Sequence, residues 1–391
     1  MIFSADFHIH SKYSRATSKD MILENIDKWA KIKGIDLIGT SDFTHPEWFD
    51  SIKSQLIEDK EGLYTVKGSN FKTRFVLSSE ISFIYKKKDK VRKIHIVYLA
   101  PDIKTVEKIN NFLSKKYNIK SDGRPILGAD PKEITKVFLD INDKIIIIPA
   151  HIFTPWFSIL GEKSGFDSIQ NCFEEIFEYV YAYETGLSAD PIMCSNLSQL
   201  NKLTTLSNSD AHSPINIGRE VNIFNAELNY NSIYNAIKNK MVFKTIEFYP
   251  QQGKYHYDGH RKCNIGLTPK EVEKLNNRCP VCGKNLTYGV LHRIYDLRDT
   301  ESKPDNFSYQ IPLHQLISLI YNKGEKTKTV MNLYFQLIER FENELNVLHN
   351  ISINELSKFN EKISYVINKL RKDEIIVKPG YDGEYGKLIL N

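Results

Sequence analysis

Nearly every apolar run in the first 245 residues ends in a histidine or a carboxylate, and the runs alternate with stretches of helical period. "IFSADF" leads to His8 and His10, "IDLIGTS" to Asp42 and His45, and "FVLSS" to Glu80. "IIIIPA" leads to His151, "YVYAY" to Glu184, and "LTTLSNS" to Asp210 and His212, while His95 lies inside "KIHIVYLA". Short apolar runs that trade places with amphipathic segments such as "DMILENIDKWAKIKG" predict parallel βα units. In a barrel of such units the C-terminal strand ends converge on one face, where these folds carry their sites. Side chains hundreds of positions apart then meet.

His8 and His10 are two residues apart, so in a strand both imidazoles reach the same side. Taken singly, a strand-end histidine is more often a core or capping residue than a ligand. Six of the eleven histidines at matching strand ends, with up to four carboxylates, instead form a set suited to several divalent cations held close together. Zinc, manganese, magnesium and iron all remain open from residue type alone. Arg15, soon after the histidine pair, either joins the catalytic set through a bidentate phosphate contact or is simply a solvated loop residue. "RFVLSSEISFIYKKKDKVRKIHIVYLA" reads as two strands joined by a charged turn, with the run from Lys86 to Lys90 a solvated tip.

No run approaches the ~18 apolar residues that span a membrane, and no basic stretch followed by an apolar one opens the chain. A cytoplasmic protein with no membrane partner is expected. The net charge of +5 permits an anionic partner without requiring nucleic acid. The five cysteines are uneven: Cys172 and Cys194 stand alone, while Cys263, Cys279 and Cys282 cluster. In a chain without a leader, that distribution favours a metal over disulfides.

"HRKC" and "CPVC" set His260 and Cys263, then Cys279 and Cys282, as two pincers with two-residue gaps, a structural-zinc pattern. His256 and His292 rival His260 for the fourth place. Lys254, Tyr255, Tyr257, Arg261, Lys262, Tyr288 and Arg293 interleave cations and aromatics around this module. Such residues either pack a small module or stack on bases beside phosphates. Three regions follow: a barrel over 1–245, a zinc-binding module over 246–300, and a mostly helical part over 301–391. In the last, "IPLHQLISLIYN" and two longer patterns, Thr327 to His349 and Ser352 to Lys372, predict helices, the third opening on the capping box "SINE".

"HIH", "SDFTH", "SSE", "PAH" and "SDAH", in this order, resemble the successive motifs of the PHP (polymerase and histidinol phosphatase) superfamily of metal-dependent phosphoesterases. The resemblance covers residues 1 to about 245 and implies a distorted (β/α)7 barrel holding two or three metals. It implies that Glu80 bridges two ions, with His8, His10 and Asp210 on one, His95 and His151 on the second, and His45 and His212 on a third. Glu80 and Asp210 are then at the centre of catalysis. The second motif departs from the family's adjacent Asp-His, so Asp42 is either a metal ligand or a residue that orients one; Glu184 is a further candidate metal ligand.

Over the whole chain, "YHYDGHRKC" and "PGYDGEYGK" resemble the endonuclease Q family of DNA-repair nucleases. That resemblance implies a metal-dependent endonuclease cutting 5′ to hypoxanthine, uracil, xanthine or an abasic site, with damaged DNA as partner. The competing expectation is a PHP phosphatase of a small phosphate monoester, which has no use for the zinc module or the helical tail.

Overall fold

The computed structural model describes residues 1–390. Seven strands form a ring: β1 (Ile2–Asp6), β2 (Leu37–Gly39), β3 (Arg74–Lys87), β4 (Lys90–Ala100), β5 (Ile146–Pro149), β6 (Ala182–Glu184) and β7 (Thr204–Leu206). β1, β2 and β3 pair in parallel, as do β6 and β7. The charged turn expected between β3 and β4 is there, with Lys88 and Asp89 at positive φ (50° and 61°). Two such residues in a two-residue loop match the twist of the hairpin. β4 therefore runs against its neighbours β3 and β5, which is the ring's first departure from an all-parallel barrel.

The second departure lies at β1. On its other edge β1 pairs antiparallel, from Ile2 to Ala5, with β8 (Val221–Asn225), which leads out to β9 (Val242–Phe248) and β10 (Phe307–Gln310). The chain just beyond β1 closes the ring instead: Phe7 N donates to Asn208 Oδ1 (2.9 Å) and His10 N to the Ala211 carbonyl (2.9 Å). Ile152 N to the Glu184 carbonyl (2.9 Å) joins the ends of β5 and β6. A buried apolar cluster draws on all seven ring strands, from Phe3 and Leu37 to Ala182 and Leu206. A larger cluster packs the outer helices, among them Leu23–Lys33, Ile103–Ser114 and Pro131–Ile141. Pro131–Ile141 starts as its sequence predicts, capped by Asp130 with Pro131 in the first turn.

The C-terminal helices have their own core around Ile317, Tyr334, Leu337 and Ile367. The two long helices expected there are each broken. Lys328–Phe341 ends where Glu342 takes φ 74°, and a π turn follows at Asn346–Asn350. The break swings Glu344 inward to meet Lys33 of the barrel at 2.6 Å, both side chains being almost fully buried. Ile353–Phe359 and Glu361–Arg371 are separated by Asn360, whose side chain caps the second helix. β10, from the third region, belongs to the barrel sheet.

The cysteine module is covered by the end of the chain. Tyr381 lies against Gly259 and Gly266, where an added Cβ would sit 2.5 and 2.6 Å from its ring, and its hydroxyl donates to Asn264 Oδ1 (2.7 Å). Only glycine leaves room for that ring.

Candidate metal centre and the cavity beside it

The ends of β1, β5 and β7 and the middle of the β3–β4 pair bring two groups of ligand-type atoms together, His8, His10 and Asp210 in one and Glu80, His95 and His151 in the other; Glu80, expected at a strand end, sits mid-strand because β3 runs on into the hairpin. Glu80 lies between them: Oε1 is 2.8 Å from His95 Nδ1 and 3.3 Å from His151 Nε2, and Oε2 is 3.5 Å from His10 Nε2. Asp210 Oδ1 is 3.0 Å from His10 Nε2 and 3.6 Å from His8 Nε2. Asp42, His151 and Asp210 all hold positive φ (41°, 32° and 46°). That conformation is disfavoured for side-chain-bearing residues by roughly 1–3 kcal/mol each and is kept where a site requires it.

Burial alone would lower the His8 value, yet Glu184, Glu80 and Asp210 raise it well above the usual imidazole range. His10 is likewise pushed against burial to about 9 by Asp210 and Asp42. Glu80 is held well below the carboxylate range despite burial, by His95, Arg124 and His8. So much buried negative charge draws protons onto the imidazoles. Divalent cations satisfy the same demand by displacing those protons. The donor set fits them: His8 Nε2 is buried without a hydrogen-bond partner, while His8 Nδ1 is held by Glu184 (3.0 Å).

Several expected site residues fall outside both groups. Glu184 spends its oxygens on His8 Nδ1, His151 N (3.0 Å) and Asn208 Nδ2 (2.8 Å), so both are committed within the chain. Asp42 turns Oδ2 toward Ser11 N, Ser11 Oγ and Ser14 Oγ (2.8, 2.6 and 2.7 Å), with Oδ1 3.6 Å from His10 Nδ1. His45 donates from Nε2 to the Lys120 carbonyl (3.1 Å) and stacks on Tyr13. The His212 ring lies 4.3 Å from that of His10. Arg15 is exposed, and its backbone N donates to Asp122 Oδ1 (3.2 Å). The guanidinium at the centre is that of Arg124, whose Nη1 is 2.9 Å from Glu80 Oε2. Its loop, "KSDGRP", has no periodicity to advertise it.

In the module, His260, Cys263, Cys279 and Cys282 present ligand atoms all within 4.8 Å of one another. Burial would raise the Cys279 thiol, but N–H donors of Cys282 and Val281 bring it down to about 6. A thiolate at neutral pH is what zinc requires. The rival histidines are engaged elsewhere: His292 Nδ1 donates to Asp258 (2.7 Å), and His256 is buried against Tyr257. Among the DNA-contact candidates, Arg293 is committed within the chain, to the carbonyls of Leu160 and Phe166 and to Asp167. Arg261 is exposed, loosely paired with Glu384 at 3.8 Å, and Lys262 is exposed.

Between barrel, module and helices lies a cavity of about 590 Å³. Trp156, Arg219, Tyr255, His256, Gln315 and Tyr385 line it. Burial pushes His256 down to about 4, so it is neutral there, with Nδ1 unpartnered. Lys254 sits over the rings of Tyr255 and Tyr385.

A strand ring whose ends gather two ligand groups about one glutamate, beside a separate four-ligand cysteine site, defines a metal-dependent hydrolase. The chain matches the lesion-specific endonuclease PfuEndoQ from Pyrococcus furiosus with a TM-score of 0.89 and 30% identity, over 99% of this chain and 95% of that one. A complex of endonuclease Q with a 27-mer duplex substrate bearing an abasic lesion at the active site matches at 0.87 and 31%, over 100% and 97%. The chain belongs to the endonuclease Q family. YqxK of Bacillus subtilis is 29% identical over 98% of both chains. MJ0043 of Methanocaldococcus jannaschii is 39% identical over 60% of this chain, a match that spans only 31% of that longer protein. Residues 312–374 match the family model described as the MJ0043 C-terminal domain. Among the described residues no helix is long and apolar enough to cross a membrane.

Proposed function

We propose that this chain is a DNA-repair endonuclease that hydrolyses the phosphodiester 5′ to a deaminated base (hypoxanthine, uracil or xanthine) or an abasic site. The observation that carries the reading is the placement of Glu80 between two ligand groups, with Arg124 on the same carboxylate. His8, His10 and Asp210 would hold one cation and His95 and His151 a second, with Glu80 placed to serve both. Bound divalent metals supply a hydroxide nucleophile at neutral pH and neutralise the phosphoryl oxygens. Glu184 and Asp42 orient the imidazoles, and Arg124 offers the fork that Arg15 was expected to offer.

Residues 1–245 perform the chemistry, and the module and helices present the strand. Tyr255, Tyr257, Arg261 and Lys262 contact DNA, and the cavity beside the metal centre receives the lesion. Its aromatic walls suit a flipped base, and a mispaired base leaves the duplex at lower cost than a paired one.

The test is a 5′-labelled duplex carrying hypoxanthine, uracil, xanthine, an abasic site or no lesion, with magnesium, manganese or zinc supplied and Asp210→Ala as control. Nicking of the damaged strands alone, lost in the variant, supports the reading. Turnover of phosphate monoesters without nicking of any duplex would replace it with a small-molecule phosphatase.

A further inference from the structure

Arg219 belongs to two sites. Nε donates to the Ser209 carbonyl (2.6 Å) and Nη2 to the Asp210 carbonyl (3.2 Å), so the guanidinium holds the strained turn that presents Asp210 to His8 and His10. The same side chain lines the 590 Å³ cavity with Trp156, Tyr255 and His256. Among the described residues, no group accepts a hydrogen bond from its Nη1, and no carboxylate pairs with it within 4.0 Å. A guanidinium donates only. A cavity wall made of one is therefore selective by chemistry: it rewards an acceptor and opposes an N–H.

Deamination makes that exchange on a base. Adenine and cytosine carry exocyclic amino donors, and hydrolysis replaces each with a carbonyl acceptor. A guanidinium facing that position gains a charge-assisted hydrogen bond with the deaminated base and meets opposing donors with the parent. Guanine and thymine also carry a carbonyl, so their exclusion falls to their pairing in the duplex and to the other walls.

We propose that Arg219 is a specificity-determining residue that donates to the exocyclic carbonyl of a base in this cavity while tethering Asp210. The inference rests on the nuclease reading above. Filling the cavity completes the hydrogen-bond set of the group that holds the metal-centre carboxylate. An abasic strand offers no base to read, so it draws only on the tether.

The experiment compares wild type, Arg219→Gln and Arg219→Lys on two duplexes of one sequence, carrying hypoxanthine or an abasic site. kcat/KM is measured with magnesium or manganese, and affinity by fluorescence anisotropy with calcium in their place, which leaves the zinc of the cysteine module bound. Loosening the Asp210 turn lowers both activities together; losing the base contact lowers hypoxanthine further, by on the order of 10- to 100-fold. The expected result is that shift in the hypoxanthine-to-abasic ratio in both assays, partly restored by lysine. Equal losses on both duplexes overturn the inference and leave the nuclease reading standing. If wild type cuts neither duplex, the nuclease reading fails, and the affinity ratio measured with calcium still decides whether Arg219 reads the base. Should the glutamine variant not fold, the lysine variant carries the same comparison, since it keeps the charge but loses the fork.

Discussion

The buried pair between Lys33 and Glu344 allows a magnitude to be worked out. Glu344 Oε2 accepts from Lys33 Nζ (2.6 Å) and the Tyr334 hydroxyl (2.7 Å), and Oε1 from Leu313 N (2.9 Å). Burial would raise this carboxyl, yet Lys33 and His314 hold it below its ordinary value of 4.5. Lys33→Met keeps the side chain's length and deletes the charge. A buried carboxylate that loses its cation typically destabilises a protein by about 3–5 kcal/mol. The carboxyl can escape by taking up a proton, which at pH 7 costs about 2.5 pH units, or ~3.4 kcal/mol. At pH 5 that ceiling drops to roughly 0.7 kcal/mol. The loss is therefore expected to be about 3 kcal/mol at pH 7 and under 1 kcal/mol at pH 5, and Lys33→Met with Glu344→Gln should recover most of it. Urea unfolding followed by tryptophan fluorescence reads this interface, because Trp29 lies 6.5 Å from the Tyr334 ring. An equal loss at both pH values, or a loss below 1 kcal/mol at pH 7, would refute the reasoning.

Burial raises the Glu247 carboxyl to about 8 and Glu220, opposite it across the strand pair, well above the carboxylate range. Folded values above the unfolded ones mean stability that is complete below about pH 4.5 and lost as pH rises through 8, at up to ~1.4 kcal/mol per pH unit for each proton. Glu247→Gln should flatten that slope in thermal unfolding across a pH series. Gly123 faces Asp42: a Cβ there would lie 2.3 Å from Oδ2 and 2.5 Å from Ser14 Oγ. Gly123→Ala is expected to weaken metal affinity by roughly 10- to 100-fold with unchanged circular dichroism, read by manganese titration of activity. Cys279→Ser should remove one zinc per chain by elemental analysis and open residues 250–300 to protease, while the barrel stays resistant.

The histidine pair after β1 and the cysteine pincers, whose atoms the structure gathers into clusters, were legible because each is a local spacing, two residues in a strand or two in a knuckle turn. Orientation was not. Asp42 and Glu184 stand at the expected strand ends, but their carboxylates turn to serine hydroxyls and to neighbouring ligands, directions set by backbone turns and by strands distant in sequence. Arg124 and Arg219 escaped notice because both sit in loops without a period. Arg293 looked like a free cation and is bound to carbonyls from residues 160 and 166. The helix expected from Thr327 to His349 breaks because Glu344 meets a lysine 311 positions away. No window of local sequence contains that contact.

The seating of Tyr381 on Gly259 and Gly266 has a temporal consequence. Its partner Asn264 precedes it by 117 residues. At about 5–20 residues per second of synthesis, roughly 6–23 s separate the two on the ribosome. The barrel strands are by then complete, but the cysteine module still lacks its cover. A chain that stops short of this tyrosine can carry the barrel's cluster of histidines and carboxylates with the face of the cysteine module left uncovered, so premature termination uncouples the completion of the two regions.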